Sequence, residues 1–202
     1  MANDKDYTEE IIKKLNTIED EELKSMIKKL IEERNYLIDA MNLDPLTGVY
    51  NRRILNRIRS ISVLVLWDID NFKTVNDEYG HDTGDIALKT TSKIIMDNCR
   101  ADDIVCRYGG DEFLTIFDDC PVETVKKRVE RIQKLIGEDS QLNYFGVTIS
   151  VGISKGSKDK TLSQVIKEAD QALYEAKKNG KNCCVIFDEI ESNKSKVYRK
   201  RN

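Results

Sequence analysis

The stretch Tyr108-Gly109-Gly110-Asp111-Glu112-Phe113 separates two apolar runs and decides the fold of the sheet around it. The runs on either side, 103–108 and 113–117, are rich in β-branched and aromatic residues, so each predicts a strand. Gly-Gly between two strands predicts a two-residue hairpin, because both central residues can adopt a positive φ. A turn without side chains also lets a bulky anionic ligand approach the backbone, and the two carboxylates that follow favour a divalent cation between that ligand and the protein. The alternative is an exposed turn with solvated charges.

A second acidic cluster, Asp68-Ile69-Asp70, follows the apolar run 61–66. Such a run predicts a strand that is buried on both faces, and the end of such a strand is where α/β sheets place ligands. Asp68, together with Asp111 or Glu112, therefore predicts a site for Mg²⁺, which usually takes one or two carboxylates plus substrate phosphates. The alternative is a polar strand exit whose carboxylates cap the next helix.

Helical and strand patterns alternate along residues 44–188. Strands are predicted near 62–68, 103–108, 112–118, 145–153 and 183–188, and helices near 45–60, 83–99, 121–137 and 160–178. Gly180 is placed to end the last of these helices. The order of elements predicts an α/β fold, an α+β sandwich around a mixed sheet that contains one antiparallel hairpin.

Residues 1–43 are charged and helical in pattern, without glycine or proline. The register breaks near Asp20, which with Thr17 or a nearby Glu is predicted to cap a second, longer helix. Its apolar stripe consists of Leu23, Ile27, Leu30, Leu37 and Met41. Because this stripe is narrow and flanked by Glu and Lys, it predicts a parallel coiled-coil stalk that pairs two copies, and the alternative is a helix packed on its own domain. Residues 189–202 are predicted to form a basic, disordered tail.

Composition excludes several classes of function. The net charge of −3 provides no overall attraction to nucleic acid or to an anionic membrane. No apolar run reaches the ~18–20 residues that a membrane-spanning helix needs, and the polar, acidic start argues against a secretory signal. Five cysteines without a Cys-x-x-Cys pair predict reduced thiols, so we expect a cytoplasmic protein.

Taken together, these segments give the chain a family resemblance. It resembles the GGDEF-domain diguanylate cyclases of bacterial second-messenger signalling. The matching segments, in the family's order, are 44–53, 68–77, 80–85, 107–113, 150–153 and 169–182. The resemblance implies a palm-like fold shared with nucleotidyl cyclases and polymerases, with a first helix that is shortened between Arg53 and Val63. It also implies an enzyme that condenses two GTP into cyclic di-GMP and two pyrophosphates across a homodimer.

The resemblance implies a set of metal and catalytic residues. Asp68, the carbonyl of Ile69 and Asp111 would hold two Mg²⁺ ions per active site, with Mn²⁺ as an alternative. Glu112 would be either a further ligand or the group that accepts the proton of the attacking hydroxyl. Either Asp111 or Glu112 can be that base, because coupled carboxylates beside a metal need not have separable pKa values.

Phosphate groups need hydrogen-bond donors. The backbone amides of Phe72 and Lys73, at a predicted helix start, suit the β- and γ-phosphates. Lys177 and Lys181 are spaced i, i+4, so both are predicted to project from one side of the last helical turn. Lys181 stands where the family usually has arginine, which removes bidentate geometry. The alternative is an ordinary cationic helix C-terminus.

The choice of base follows from three further residues of the resemblance. Asn76 and Asp85 would bind guanine, with His81 lining the pocket. A carboxylate accepts hydrogen bonds from guanine N1–H and N2–H₂, so Asp85 favours GTP over ATP. A rival interpretation is a cyclase that makes a mixed purine dinucleotide.

A control site is implied by Arg100-Ala101-Asp102-Asp103, which matches the Arg-x-x-Asp motif that precedes the hairpin in many relatives. There, Arg100 and Asp103 would bind cyclic di-GMP and inhibit the enzyme. Two rivals also remain open: a catalytically silent receptor that uses this site to sense cyclic di-GMP, and a structural dimerisation module.

Overall fold

The computed structural model describes residues 10–190, apart from 12, 16 and the side chain of Asp39. The chain divides into two compact units, with the boundary between Asn42 and Leu43. The predicted disordered tail is wrong at residues 189 and 190, which are helical, and from residue 191 onward it lies outside the described residues.

The first unit contains the predicted long helix, α1, which spans Glu21–Met41. The carboxylate of Asp20 caps it by accepting hydrogen bonds from the amides of Glu22 and Leu23, both at 3.0 Å. Residues 10, 11 and 13–15 are also helical. Most of the predicted apolar stripe is exposed, namely Leu23, Leu30, Leu37 and Met41. Neither α1 nor any other helix among residues 10–190 has the length and hydropathy needed to cross a bilayer.

The second unit alternates strands and helices around one sheet. Its strands are β1 (Tyr50–Asn51), β2 (Val63–Ile69), β3 (Ile104–Arg107), β4 (Glu112–Phe117), β5 (Ile149–Lys155) and β6 (Cys184–Ile186). Its helices are a 3-10 helix (Arg52–Arg57), α2 (Phe72–Tyr79), α3 (His81–Asp97), α4 (Val122–Glu138), α5 (Ser140–Tyr144) and α6 (Leu162–Lys178). The sheet order is β1-β3-β4-β2-β5-β6.

The sheet is mixed and covered on both faces, as predicted. β1 pairs with β3 and β5 pairs with β6 in parallel, while the three central pairings are antiparallel. Alternate residues of β2 face different clusters: Val65 and Trp67 pack with α3 and α4, whereas Leu64 and Leu66 pack with the 3-10 helix and α6. This double burial explains why β2 is apolar throughout rather than alternating.

The predicted helix over 45–60 is wrong. Residues 44–49 form a turn in which the Asp44 carboxylate accepts the Thr47 amide at 2.9 Å, and Gly48 has a φ of 73°. A strand and the six-residue 3-10 helix Arg52–Arg57 follow. Local side-chain bonding in the turn competes with helix formation here, so the only helix in this segment is the 3-10 helix Arg52–Arg57.

Two other boundaries also differ from prediction. The strand predicted to begin at 145 starts only at Ile149, because α5 and Gly146, with a φ of 66°, occupy the preceding segment. The helix predicted over 83–99 begins earlier, at His81, and a separate helix, α2, lies before it.

We expect two buried threonines to respond oppositely to replacement by valine. Thr115 accepts a hydrogen bond from the buried Trp67 Nε1 at 3.0 Å, so Thr115→Val leaves that donor unpaired and should cost about 1–3 kcal/mol of unfolding free energy. The buried hydroxyl of Thr91 makes no hydrogen bond with the described residues, so Thr91→Val should be neutral or stabilising. Urea denaturation measures both changes, and equal losses in the two variants would contradict the expectation.

Candidate functional site

The acidic residues predicted to act together meet where β2 ends and β4 begins, at the border of the sheet that we call the acidic edge. Antiparallel pairing of β2 and β4 places Asp68 directly opposite Glu112. The amide of Ile69 donates to the carbonyl oxygen of Asp111 at 3.2 Å, which joins the end of β2 to the turn before β4. The carboxylates at this edge therefore form one acidic cluster, which consists of Asp68, Asp111 and Glu112 and lies beside the backbone of Ile69.

The turn that carries this cluster is not the predicted two-residue hairpin. Neither Gly109 nor Gly110 has a positive φ, and the amides of Tyr108 and Gly109 both donate to the Glu112 carbonyl, at 2.8 and 3.2 Å. Glycine is needed at 109 for a different reason. A Cβ there would lie 2.5 Å from Glu112 Oε2, whereas a Cβ on Gly110 would meet nothing within 4 Å. The missing side chain at 109 therefore leaves room for the Glu112 carboxylate.

The guanidinium of Arg107 fixes the conformation of this turn. Its Nε and Nη2 atoms donate to the carbonyl of Gly110 at 3.0 and 2.7 Å, and its Nη1 lies 3.3 Å from Asp44 Oδ1. Although burial opposes ionisation of Asp44, the hydrogen bonds from Thr47 and the charge of Arg107 lower its pKa. Sequence reasoning assigned no role to Arg107 or Asp44, and the available signal was an arginine two residues before the glycines.

Charges in the acidic cluster oppose one another. Burial raises the pKa of Glu112, and the neighbouring charges of Asp68 and Asp111 raise it further. Burial also raises the pKa of Asp68, against the effect of Lys177, whose Nζ lies 2.7 Å from Asp68 Oδ2. A lysine ammonium thus partly neutralises the cluster.

The cluster is better suited to a cation that binds together with phosphates than to a cation that the protein alone would hold. In the part of the chain that the structure describes, no three His, Cys, Asp or Glu side chains form a ready-made metal cluster. Carboxylates with raised pKa values nevertheless gain from a nearby cation, and Mg²⁺ characteristically binds one or two carboxylates together with substrate phosphates. Asp68, the Ile69 carbonyl and Asp111, with Glu112 beside them, therefore fit Mg²⁺.

Donors for an anion lie at the same edge. Helix α2 begins at Phe72, and its N-cap Asn71, with a φ of 55°, makes no side-chain cap. The amides of Phe72 and Lys73 consequently find no hydrogen-bond partner among the described residues. Two unpaired amides at a helix N-terminus suit a phosphate group.

Lys177 and Lys181 reach this edge by different routes. Helix α6 ends at Lys178, and Gly180, with a φ of 105°, lies just beyond it, which confirms the predicted glycine stop. Lys181 has a φ of 65° and is outside the helix, so its predicted projection from the last helical turn is wrong. Its Nζ instead donates to Asn71 Oδ1 at 2.6 Å, beside the start of α2.

The three residues predicted to bind guanine lie where α2 meets α3. The side chain of Asn76 packs so closely against Gly84 that a Cβ at Gly84 would clash with it. Asp85 follows Gly84 and is half-buried, while His81, at the start of α3, is exposed. Helix α2 therefore connects the acidic edge, at its first residue, with this crossing, at its second turn.

The predicted product site has an unforeseen partner. Asp103 Oδ2 accepts the amide of Arg100 at 2.7 Å and pairs with Arg128 Nη1 at 2.9 Å, and only 4% of the Asp103 side chain is exposed. Arg100 itself is exposed. Sequence reasoning did not anticipate Arg128, and the role of Arg100 and Asp103 in binding product stays a prediction.

Comparison with known proteins assigns the family. The profile described as "Diguanylate cyclase, GGDEF domain" matches residues 41–183. The chain belongs to the GGDEF family. This GGDEF domain is 38% identical over 167 residues to the uncharacterized protein YtrP of Bacillus subtilis and 34% identical over 182 residues to diguanylate cyclase DgcZ of Escherichia coli. These matches cover 78% and 84% of the chain, but only 28% and 62% of the two relatives' lengths.

Solved structures agree with the observed GGDEF fold. The diguanylate cyclase SiaD of Pseudomonas aeruginosa, in complex with its activator SiaC, has a TM-score of 0.71 at 30% identity, covering 90% of this chain and 76% of that one. The coiled coil and GGDEF domain of DgcB from Caulobacter crescentus, in complex with c-di-GMP, has a TM-score of 0.69 at 25% identity and covers 82% and 95%. The predicted mixed-sheet, palm-like fold with helices on both faces is thereby confirmed.

The crowded acidic cluster should cost stability. Because Glu112 has a raised pKa, the native state holds its proton more tightly than the unfolded state, so the free energy of unfolding falls as pH rises from about 4.3 through the raised value. We expect Glu112→Gln to remove this fall and to raise Tm at pH 7, by about 2–4 °C per kcal/mol recovered. Thermal unfolding without divalent cations measures the change.

A matched control is Glu138→Gln, which removes an exposed carboxylate that lies 3.6 Å from Lys134. Its effect on unfolding free energy should stay within about 0.5 kcal/mol at any pH. A lower Tm at pH 7 for the Glu112 variant would contradict the charge argument.

Proposed function

We propose that the chain is a diguanylate cyclase, which condenses two GTP into cyclic di-GMP and two pyrophosphates. The observation that carries this proposal is the convergence of Asp68, Asp111 and Glu112 with two lysines and the unpaired start of α2 at one edge of the sheet. Acidic metal ligands and phosphate donors meet there, as nucleotidyl transfer requires.

In the proposed mechanism the triphosphate lies along the start of α2. The amides of Phe72 and Lys73 donate to the β- and γ-phosphates, and Lys181 and Lys177 exchange their present acceptors for phosphate oxygens. Release of Lys177 leaves the Asp68 carboxylate free for a cation. Two Mg²⁺ ions, or Mn²⁺, held by Asp68, the Ile69 carbonyl, Asp111 and Glu112 would stabilise charge on the attacking and leaving oxygens.

The carboxylates also handle the proton. The 3′-hydroxyl oxygen of one nucleotide bonds to the α-phosphorus of the other, the bond to pyrophosphate breaks, and the hydroxyl proton passes to Glu112 or Asp111. The raised pKa of Glu112 suits a base that works near neutral pH. The room left by Gly109 and Gly110 allows the phosphates to approach this carboxylate.

Guanine is proposed to bind at the crossing of α2 and α3. The Asp85 carboxylate accepts from N1–H and N2–H₂, the Asn76 amide bonds the remaining edge, and His81 lines the opening. Adenine lacks those donors on its matching edge, so GTP is preferred over ATP.

Each protomer supplies one half-site, so the active species is a homodimer. The exposed stripe of α1 supports coiled-coil pairing of two copies, and the DgcB structure described above pairs a coiled coil with a GGDEF domain. In this proposal residues 1–43 set the dimer, residues 44–188 catalyse, and cyclic di-GMP inhibits through Arg100 and Asp103. Because GTP is the substrate, we place the reaction in the cytoplasm.

Product analysis tests the proposed activity. Purified protein with GTP and Mg²⁺ should form cyclic di-GMP, with little change when equal ATP is added. Glu112→Gln should abolish the product, whereas Glu138→Gln should retain it. Mixed dinucleotides would overturn the assigned base preference, and cyclic di-GMP binding without synthesis at any protein concentration would favour a receptor.

Two glycine variants separate the position of Glu112 from the fold. Neither glycine has a positive φ, so alanine strains neither backbone. Gly109→Ala would push the Glu112 carboxylate away and should lower kcat by on the order of 10²-fold, as expected for a displaced catalytic group. Gly110→Ala leaves the Glu112 carboxylate in place, since its Cβ would meet nothing within 4 Å, so kcat should fall much less and any loss should appear as a higher KM for GTP. Steady-state kinetics decide, and equal losses would contradict the steric argument.

A further inference from the structure

Asp70 is a buried carboxylate that the proposed mechanism does not use. It follows β2 directly, and only 2% of the residue is exposed. Its Oδ1 accepts the Ser150 hydroxyl at 2.6 Å, and its Oδ2 accepts the Thr148 hydroxyl at 2.7 Å and the Asn182 amide at 3.1 Å. These donors come from the start of β5 and from the segment after α6, so one side chain joins three parts of the chain.

The segment that Asp70 holds has an unusual backbone. Gly180, Lys181 and Asn182 have φ values of 105°, 65° and 47° in succession. For the two residues with a Cβ, this region is sterically unfavourable, and such conformations persist only where their surroundings enforce them. The Asn182 amide bond to Asp70 and the Lys181 amide bond to the Ala176 carbonyl, at 3.2 Å, supply that enforcement.

This backbone decides where Lys181 points. A continued helix would place Lys181 one turn beyond Lys177, on the side of α6. The left-handed segment carries it instead across to Asn71, where its Nζ donates to Oδ1 at 2.6 Å beside the unpaired amides of Phe72 and Lys73. A residue that holds Asn182 therefore also sets the position of the Lys181 ammonium.

We propose that Asp70 is a positioning residue for the triphosphate, which it serves by locking the 180–182 segment so that Lys181 faces the start of α2. The proposal rests on the proposed function in one respect, namely that the ligand at this edge carries a triphosphate. The role proposed for Asp70 is that of a hydrogen-bond acceptor, since its three described contacts are the donors of Thr148, Ser150 and Asn182.

Nucleotide binding tests this role without relying on turnover. Isothermal titration with Mg²⁺ gives the Kd of the full chain for the α,β-methylene analogue of GTP, which cannot release pyrophosphate, and for GMP. We expect Asp70→Asn to raise the Kd of the triphosphate analogue about tenfold, which is the loss expected for one charged hydrogen bond. The Kd of GMP should rise less than twofold. Lys181→Met should show the same pattern.

A double variant then separates positioning from a general structural role. If Asp70 acts through Lys181, the Asp70→Asn change should add little in the Lys181→Met background. Equal weakening of both ligands, additive losses, or no preference of the wild type for the triphosphate over GMP would each overturn the proposal. Binding of the analogue without any cyclic dinucleotide product would instead refute the proposed function and leave this inference standing.

The chain offers a matched control at the opposite end of β5. Glu168 accepts the Ser154 hydroxyl at 2.6 Å and the Lys160 ammonium at 2.7 Å, so Glu168→Gln perturbs a comparable carboxylate far from the acidic edge. It should leave the Kd of GMP divided by the Kd of the triphosphate analogue unchanged. If Asp70→Asn fails to fold, Thr148→Val can replace it, because it removes one of the three donors to Asp70. It should lower the Kd of GMP divided by the Kd of the analogue, as Asp70→Asn is expected to do. An unchanged ratio overturns the proposal.

Discussion

The register between β2 and β4 is the constraint on which the rest of the site depends. Asp68 lies opposite Glu112 because the two strands pair antiparallel over six residue pairs. A slip by one residue would turn the two side chains to different faces and expose apolar residues of both strands, so burial of the sheet enforces the pairing. The Arg107 bonds to the Gly110 carbonyl complete this order at the turn. Packing energy is thereby used to hold charges of one sign together.

Holding those charges together has a cost that the protein partly offsets. Burial and mutual repulsion raise the pKa values of Asp68 and Glu112, while Lys177 supplies a positive charge at 2.7 Å from Asp68. The second ammonium group, that of Lys181, donates a hydrogen bond to the neutral side-chain oxygen of Asn71. Both ammonium groups thus lie beside the start of α2, where the proposed mechanism places the phosphates.

Sequence predicted what depends on local periodicity or on a long apolar run. β2, β4, α4 and α6 lie within a few residues of their predicted positions, since each is long and strongly patterned. The helix predicted over 45–60 was wrong because side-chain bonding in a short turn outweighed propensity. Lys181 was misplaced because three consecutive positive φ values cannot be inferred from an i, i+4 spacing.

The role of Asp70 escaped sequence reasoning for another reason. Its donors lie 78, 80 and 112 residues away along the chain, and no local pattern brings them to Asp70. The remaining signal was the presence of Thr148 and Ser150 in an otherwise apolar strand region. In the acidic cluster, by contrast, the residues lie at strand ends whose positions were predictable, so the sequence located them correctly.

Trp67 gives the site an optical property. It is the single tryptophan of the chain, it is fully buried, and it immediately precedes Asp68 and pairs with Phe113. Its indole N–H is bonded to Thr115, so its fluorescence arises from one rigid, dry environment. Any ligand that changes the charge on Asp68 acts on this chromophore from the neighbouring residue. The chain therefore carries an intrinsic fluorescent reporter next to the proposed catalytic carboxylates.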